Sequence, residues 1–524
     1  MRRHLLPALL LAALTTTLLL ATGCADERTA EQRSGKLVYG FDENMKTFDP
    51  AHQVYAQEST IIHLVLETLV RWSDDLVLEP WLAESWEVNE DCSKWTFHLR
   101  PDVRFHDGTP LTSAAFKSQF ERLMDPETAA TRANRLVDIG SIEAPDDLTL
   151  VFNLANPNCV FAELLASTWA AVYSPAAFEK YGADIARNPV GTGPFTFVSW
   201  DQTKMEIALE KNPDYWRGDV IAIERLDLVQ VKENTTRLTL LEQGMIDVGK
   251  VSAEHVPVAR GNPDVQLMSA PYLAIVYIGF NCQRPPFDDV RVRQACNYAV
   301  NKQDMIEFVF FGVGEPAKGP FPTVLPAFND EIEYYDYNPE KARALLKEAG
   351  YENGVDVVMW TQETGSYRKI SEATVGYLKE VGVNVEMVVY DNGVYWDKFD
   401  EYMPITGERY PLKDGCYDMY VGGWAGGEAP QYFLEPLFMG GSYSNASFYD
   451  VPEVNRLLME VKNYPDPADR DAAFKRLQEI IVGDAPWIFG YYSQQNVGVR
   501  NRVKGFKVNT SGWLRLEGVT LEDE

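Results

Sequence analysis

The sequence predicts an α/β fold of more than one domain, and three observations carry that expectation. Apolar segments of strand type interchange with segments whose apolar residues recur at helical spacing. A strand, a helix and a second strand follow one another over residues 355–389, the order of a crossover unit. The length of 524 residues, at roughly 150 residues per domain, suggests about three domains. A content of 46% hydrophobic and 24% charged residues excludes a disordered or fibrous chain.

The elements follow in order. Arg2 and Arg3 precede an apolar run over residues 5–20, broken only by Pro7 and three threonines and shorter than the about 20 residues of a membrane span. Residues 1–23 therefore read as a signal peptide. Ala21-Thr22-Gly23-Cys24 resembles a bacterial lipobox with alanine in place of the usual leucine, which makes Cys24 the expected acceptor of a lipid; the alternative is an ordinary secretory signal with a chance cysteine. Residues 24–35 are polar and read as a tether. Residues 37–41 form the first strand, and apolar spacing over 59–70 predicts a helix. Residues 94–99 alternate with period two, break at Pro101-Asp102 and resume at 103–105, a hairpin-like pair closed by His106-Asp107-Gly108-Thr109-Pro110. Thr112 or Ser113 caps a helix with Phe116, Phe120 and Leu123 on one face. Asn338 and Pro339 open another helix that Gly350 stops, followed by a strand at 355–360, a helix at 367–380 and a strand at 383–389. Beyond the leader no apolar run reaches spanning length.

Charge and motifs narrow the function. With 77 acidic against 48 basic residues and no basic cluster, nucleic acid is repelled and an anionic membrane gains nothing from the body of the protein, so membrane contact is expected only through the lipid anchor. The histidines form neither an HExxH nor a Cys/His cluster, no cysteine pair has CxxC spacing, and no metal or cofactor site is expected. His98 and His106 read as structural or exposed. With Cys24 lipidated, five cysteines remain: either two disulfides, with Cys282 joined to Cys296 or Cys416, and one thiol, or all five buried and reduced. Asp288 and Asp289 precede an apolar-periodic run and read as helix caps, with Arg291 and Arg293 in structural pairs. Gly191 and Gly193, flanked by Pro189 and Pro194, make a sharply turned connector.

Four blocks carry a resemblance. Leu82-Ala83-Glu84-Ser85-Trp86 leads into Trp95-Thr96-Phe97-His98-Leu99-Arg100 and Val103 to Thr112; Asn188-Pro189-Val190-Gly191-Thr192-Gly193-Pro194-Phe195 is the second; Pro286 to Ala295 with Asn301-Lys302 the third; Tyr417-Asp418 to Trp424 the fourth. In this order, over nearly the whole mature chain, they resemble the family 5 solute-binding proteins of bacterial ATP-binding-cassette (ABC) importers. The resemblance implies a periplasmic-binding-protein-like fold of type II: two α/β lobes with a hinge, plus an additional inserted domain. It places lobe I at 36–75, 188–278 and 491–524, the inserted domain at 76–187 and lobe II at 279–490. The ligand is then enclosed between closing lobes.

In peptide-binding relatives an aspartate shortly after the tryptophan matching Trp424 pairs with the ligand's α-ammonium. Gly427 occupies that place here, and Glu428 beside it is the candidate replacement, because a buried ammonium without a partner costs several kcal/mol. Trp424 is the candidate cleft wall. Asn44 and Met45 after the first strand, Gln362 and Glu363 after the 355–360 strand, and Tyr443 and Asn445 complete the candidate set by position. The resemblance implies a monomeric lipid-anchored receptor on the periplasmic or extracellular face, passing a small polar solute, in first place a peptide, to a permease and ATPase. An oligosaccharide receptor and a non-transport sensory or adhesion module are the alternatives. A hydrolase has no support, for no G-x-S-x-G elbow, zinc motif or phosphate loop is present.

Overall fold

The structure, a computed structural model, describes residues 35–54, 56–363, 365–400, 416–442 and 444–522. Cys24, the leader, most of the tether and Tyr443 lie outside them.

The sequence of strands and helices folds around one mixed sheet of eleven strands among the described residues. Its order is Val383–Tyr390, Val355–Gln362, Met419–Ala425, Val265–Phe280, Trp487–Arg500, Val248–Lys250, Lys36–Phe41, Arg225–Gln230, Glu206–Lys211 and Phe195–Asp201, with Glu315–Pro316 added on Trp487–Arg500. Two strands are long enough to serve both lobes. Val265–Phe280 and Trp487–Arg500 pair antiparallel from Val265↔Arg500 to Gly279↔Trp487, with a register shift between Pro271 and Ile275. At one end they pack with Leu37, Leu226 and Val248; at the other, Ile275, Ile278 and Phe489 enter the core of Met359, Val421 and Phe433. The two lobes are therefore joined by continuous backbone ladders.

The expected crossover unit is present. Val355–Gln362 and Val383–Tyr390 run parallel, Val355 opposite Val383 and Gln362 opposite Tyr390, joined by the helix Gly365–Glu380. The helix Pro339–Glu348 starts where Asn338 Oδ1 accepts the Lys341 N–H at 2.9 Å, and Gly350 follows it at φ +90°. Asp289 caps Val290–Ala299, and Arg291 pairs with it at 2.6 Å while the buried Arg293 guanidinium donates to the Asp484 and Phe287 carbonyls.

A four-stranded sheet, Ala83–Val88, Lys94–Leu99, Thr149–Leu154 and Ile139–Asp146, forms a separate core with the helix Ser113–Met124. Here the sequence reading needs two corrections. Lys94–Leu99 does not pair with residues 103–105; it lies between Ala83–Val88 and Thr149–Leu154, strands of six residues each that offer longer ladders than a partner of three. The helix expected over 59–70 runs only over Ala56–Ile62. Beyond it, the Leu64 and Val65 carbonyls accept the Phe195 and Gly193 N–H groups at 3.0 Å.

That contact explains the two glycines. A Cβ on Gly191 meets the Val65 carbonyl oxygen at 2.0 Å and one on Gly193 meets that of Leu64 at 2.6 Å, so they are required by backbone approach and not by a turn at positive φ. His106 lies against the same segment, its Nε2 2.9 Å from the Gly193 carbonyl oxygen, a structural position. The expected pairing of Cys282 is overturned as well. Cys92 is bonded to Cys159 across 67 residues, and Cys282, Cys296 and Cys416 are free, packed in or against the lobe II core.

Candidate functional site

The parallel strands Lys36–Phe41 and Val248–Lys250 end side by side, and the carboxyl ends of such strands are where open α/β sheets present ligand sites. Arg237, with its side chain 1% exposed, clasps these ends by donating to the carbonyls of Lys250 at 2.8 Å and Val231 at 2.7 Å. Asp42, just after the first strand, lies 3.4 Å from Lys250 and 3.7 Å from Arg237. Burial opposes its charge, but the two cations prevail and hold its carboxyl below the usual range. Asp42 likewise raises Lys250, whose side chain is 44% exposed, so both members of the pair are held charged.

The second lobe contributes the strand Met419–Ala425 and the turn after it. Its glycines make room for aromatic rings: a Cβ on Gly422 meets the Tyr277 ring at 2.6 Å, one on Gly423 meets the Tyr367 hydroxyl at 2.3 Å, and one on Gly426 meets Phe433 at 2.2 Å. Gly427 differs, with nothing within 4 Å of the same point. The chain there opens into a cavity.

That cavity, about 350 Å³, lies between the lobes and is shared by three segments of the molecule. Trp424, Gly427, Glu428 and Tyr432 come from lobe II; Arg132, Arg135 and Glu163 from the region of the four-stranded sheet; Trp72, Tyr272, Ser511 and Trp513 from the lobe I side. Glu428 is 6% exposed. Burial raises its pKa, a hydrogen bond from Ser511 and the more distant Arg515 draw it part of the way back, and it makes no ion pair among the described residues. The buried indole N–H of Trp424 likewise has no hydrogen-bond partner among them. Burial pushes the Glu163 carboxyl up to about 7, eased by Arg470.

Direct contacts also bridge to lobe II from the other side of the cleft. Lys462 of lobe II reaches Asp138 at 3.0 Å, its carbonyl accepts the Cys159 N–H at 2.6 Å, Arg135 lies 4.8 Å over the Tyr432 ring, and Lys369 reaches Glu254 at 3.7 Å. The Cys92–Cys159 disulfide thus anchors the loop that meets lobe II.

The sequence-chosen residues separate in space. Trp424, Gly427 and Glu428 line the cavity together. Met45 is 3% exposed and packed in the lobe I core, and Asn44 accepts weakly from Gln230 at 3.5 Å. Gln362 is buried at the end of its strand, while Glu363 is exposed and 3.9 Å from Arg368. Asn445 is buried in a turn, its amide donating to the Met439 and Tyr449 carbonyls. Sequence reasoning missed Arg132, Arg135, Glu163 and Trp513. No motif marks them, and only the fold of the 76–187 region against lobe II brings the first three to the cavity.

Comparison with known proteins agrees with this architecture. The family model for bacterial extracellular solute-binding proteins, family 5, matches residues 77–445. The glutathione-binding protein GsiB of Pectobacterium atrosepticum is 33% identical over 485 residues, 91% of this chain and 92% of its own. Among solved structures, HbpA2 of Haemophilus parasuis superposes with a TM-score of 0.81 at 28% identity, covering 93% of this chain and 100% of its own. The periplasmic binding protein DppA of Helicobacter pylori, in complex with the peptide STSA, gives 0.78 at 27% identity, covering 93% and 98%. These matches establish the type II periplasmic-binding-protein fold and a binding role in place of an enzymatic one. The chain belongs to the family 5 bacterial extracellular solute-binding proteins.

Proposed function

We propose that this protein captures a short peptide or peptide-like solute with a free amino group in its interlobe cavity and, anchored through a lipid on Cys24, presents it to the permease of an ABC importer. The coarse role, a solute-binding component of such an importer, follows from family membership. The ligand class rests on one observation: Glu428, buried and without an ion pair among the described residues, borders a cavity of about 350 Å³. A desolvated carboxylate gains most from an arriving cation, and an ammonium supplies one. The volume, near the lower end of the about 300–1,000 Å³ usual for small-molecule sites, suits a ligand of a few residues. Relatives named for glutathione, and a structural neighbour holding a four-residue peptide, support the size and the chemistry.

An oligosaccharide is the second reading, because Trp72, Trp169, Trp424 and Trp513 all border the cavity and sugars stack on indoles. A neutral sugar leaves Glu428 without its counter-charge, so the peptide reading stands first. Mass spectrometry of small molecules released by denaturing the purified protein tests the choice. Release of an amine-bearing peptide or thiol peptide is the expected result, and release of a neutral glycan overturns it.

A further inference from the structure

Glu163 sits on the short helix Phe161–Leu164, in the region of the four-stranded sheet, and borders the interlobe cavity. Lobe II supplies much of its surroundings. Ala429 and Tyr432 pack into the core that holds Phe161, Ala162 and Leu164, and the Lys462 carbonyl accepts the N–H of Cys159, two residues before the helix, at 2.6 Å. The Glu163 carboxyl accepts no hydrogen bond and joins no ion pair among the described residues, and burial raises its affinity for a proton. Around it stand Arg132 and Arg135 on its own side, Tyr272 from lobe I, and Glu428, Tyr432 and Arg470 from lobe II. Among the described residues, Arg470 is the cation whose charge eases the burial, and its guanidinium is held away by the Tyr464 and Pro465 carbonyls, to which it donates at 2.8 and 3.2 Å. Arg135 is spread over the Tyr432 ring, and Lys462 is taken by Asp138. A carboxylate so placed is costly while the lobes are together, and parting them returns it to water.

We infer that Glu163 links closure to protons: the closed form carries its carboxyl protonated, the open form releases that proton to water, and mild acid therefore favours closure. The inference needs only that the lobes part and close, whatever the ligand. In the closed form the proton stays up to about 7, while an exposed glutamate releases it near 4.5, so in that window each closure draws up to one proton from solvent onto a Glu163 oxygen and opening returns it. The advantage of the closed form is complete below the lower value and is lost as pH rises through the higher. A ligand that selects the closed form then binds more weakly as pH rises. Glu428 acts in the opposite sense, because acid that protonates it removes the charge an ammonium needs.

Titration calorimetry of the mature protein with tri-alanine and with reduced glutathione, together with solution scattering of the empty protein, tests this at about pH 5 and about pH 7.5. Glu163→Gln copies the protonated carboxyl at every pH and leaves the effect of Glu428 in place, so the difference between wild type and variant isolates Glu163. The affinity of the wild type relative to the variant is expected to fall by on the order of tenfold or more between the two pH values. The empty wild type is expected to have the larger radius of gyration at the higher pH, and the variant the same radius at both. Glu163→Asp, which keeps a carboxyl, is expected to keep part of the response, and Glu90→Gln, an equal charge change at an exposed turn, all of it. Coinciding pH profiles of wild type and Glu163→Gln in binding and in scattering overturn the inference. If neither probe binds, scattering alone decides, and a radius that responds to pH equally in both proteins, or in neither, overturns it. Affinity that depends on Glu428 with no difference between wild type and Glu163→Gln sinks the proton linkage and leaves the ligand reading intact.

Discussion

Glu67 and Glu428 are buried alike, at 5% and 6% exposure, and are put to opposite uses. Glu67 Oε1 accepts from Trp81 Nε1 and from the Tyr215 hydroxyl, both at 2.8 Å; its Oε2 accepts from the Thr192 hydroxyl at 2.7 Å and from Trp216 Nε1 at 3.0 Å. Those donors come from three separate stretches of chain, so a single carboxylate ties the inserted sheet to lobe I. The cavity beside it, about 40 Å³, has room for little more than water. Glu428 has one hydroxyl, its own backbone N–H and a guanidinium acting through its charge alone, and faces a space nearly an order of magnitude larger. Burial raises the pKa of both. The difference teaches that burial alone does not mark a functional carboxylate; the number of donors already on it does.

The sharpest break in this comparison is at Glu67. Glu67→Gln sets an amide NH₂ against an indole N–H, that of Trp81 or of Trp216, whichever oxygen it replaces, and is expected to cost about 3–5 kcal/mol of stability, as breaking buried charged networks does. Denaturant midpoints measure it, while ligand affinity of the molecules that remain folded stays near wild type. Glu428→Gln should do the reverse. Affinity for an amine-bearing peptide falls by about 2–5 kcal/mol, and the empty protein melts no lower, since a poorly partnered charge has been removed. The open space at Gly427 sharpens this test. Adding Gly427→Asp to Glu428→Gln returns a carboxylate beside the cavity at a position where an added Cβ meets nothing within 4 Å, and is expected to recover part of the affinity; no recovery would mean that Glu428 acts through its shape or backbone and not its charge.

A smaller effect is expected at the rim. Lys462→Ala removes the contact with Asp138 but touches no cavity-lining group, and it should weaken ligand binding a few-fold by depopulating the closed form. Scattering of the empty protein is expected to show a larger radius of gyration in the variant. The smallest effect concerns pH. Glu163 keeps its proton in the folded protein up to about 7, whereas the unfolded chain releases it near the ordinary glutamate value of 4.5. Across that window the native state binds more protons, so this group's contribution to stability declines as pH rises. Glu163→Gln is expected to flatten the decline, and an unchanged stability profile between these pH values would contradict the environment assigned to it.

What could be read in advance followed from local physics. The Asn338 cap, the 355–389 crossover and the helix of Phe116, Phe120 and Leu123 are each specified by residues a few positions apart, and all are present. Trp424, in its glycine-flanked setting, and the neighbouring Glu428 were singled out through the resemblance, and both border the interlobe cavity. Features set by long-range packing were not. The four donors on Glu67 lie 14 to 149 residues from it, and the Cys92–Cys159 bond spans 67. Met45 was placed by its position after a strand, and tertiary packing committed its side chain to the core. No motif marks Arg132, which only the fold brings to the cavity.

The central claim is that Glu428 receives a ligand ammonium in the interlobe cavity. Calorimetry of the wild-type protein with reduced glutathione and with its N-acetyl form, repeated on Glu428→Gln, addresses it most directly. The account predicts that acetylation weakens binding to the wild type by on the order of 30-fold or more, and that the variant binds both forms with the same low affinity. Equal affinity of the wild type for the free and the acetylated amine would contradict it.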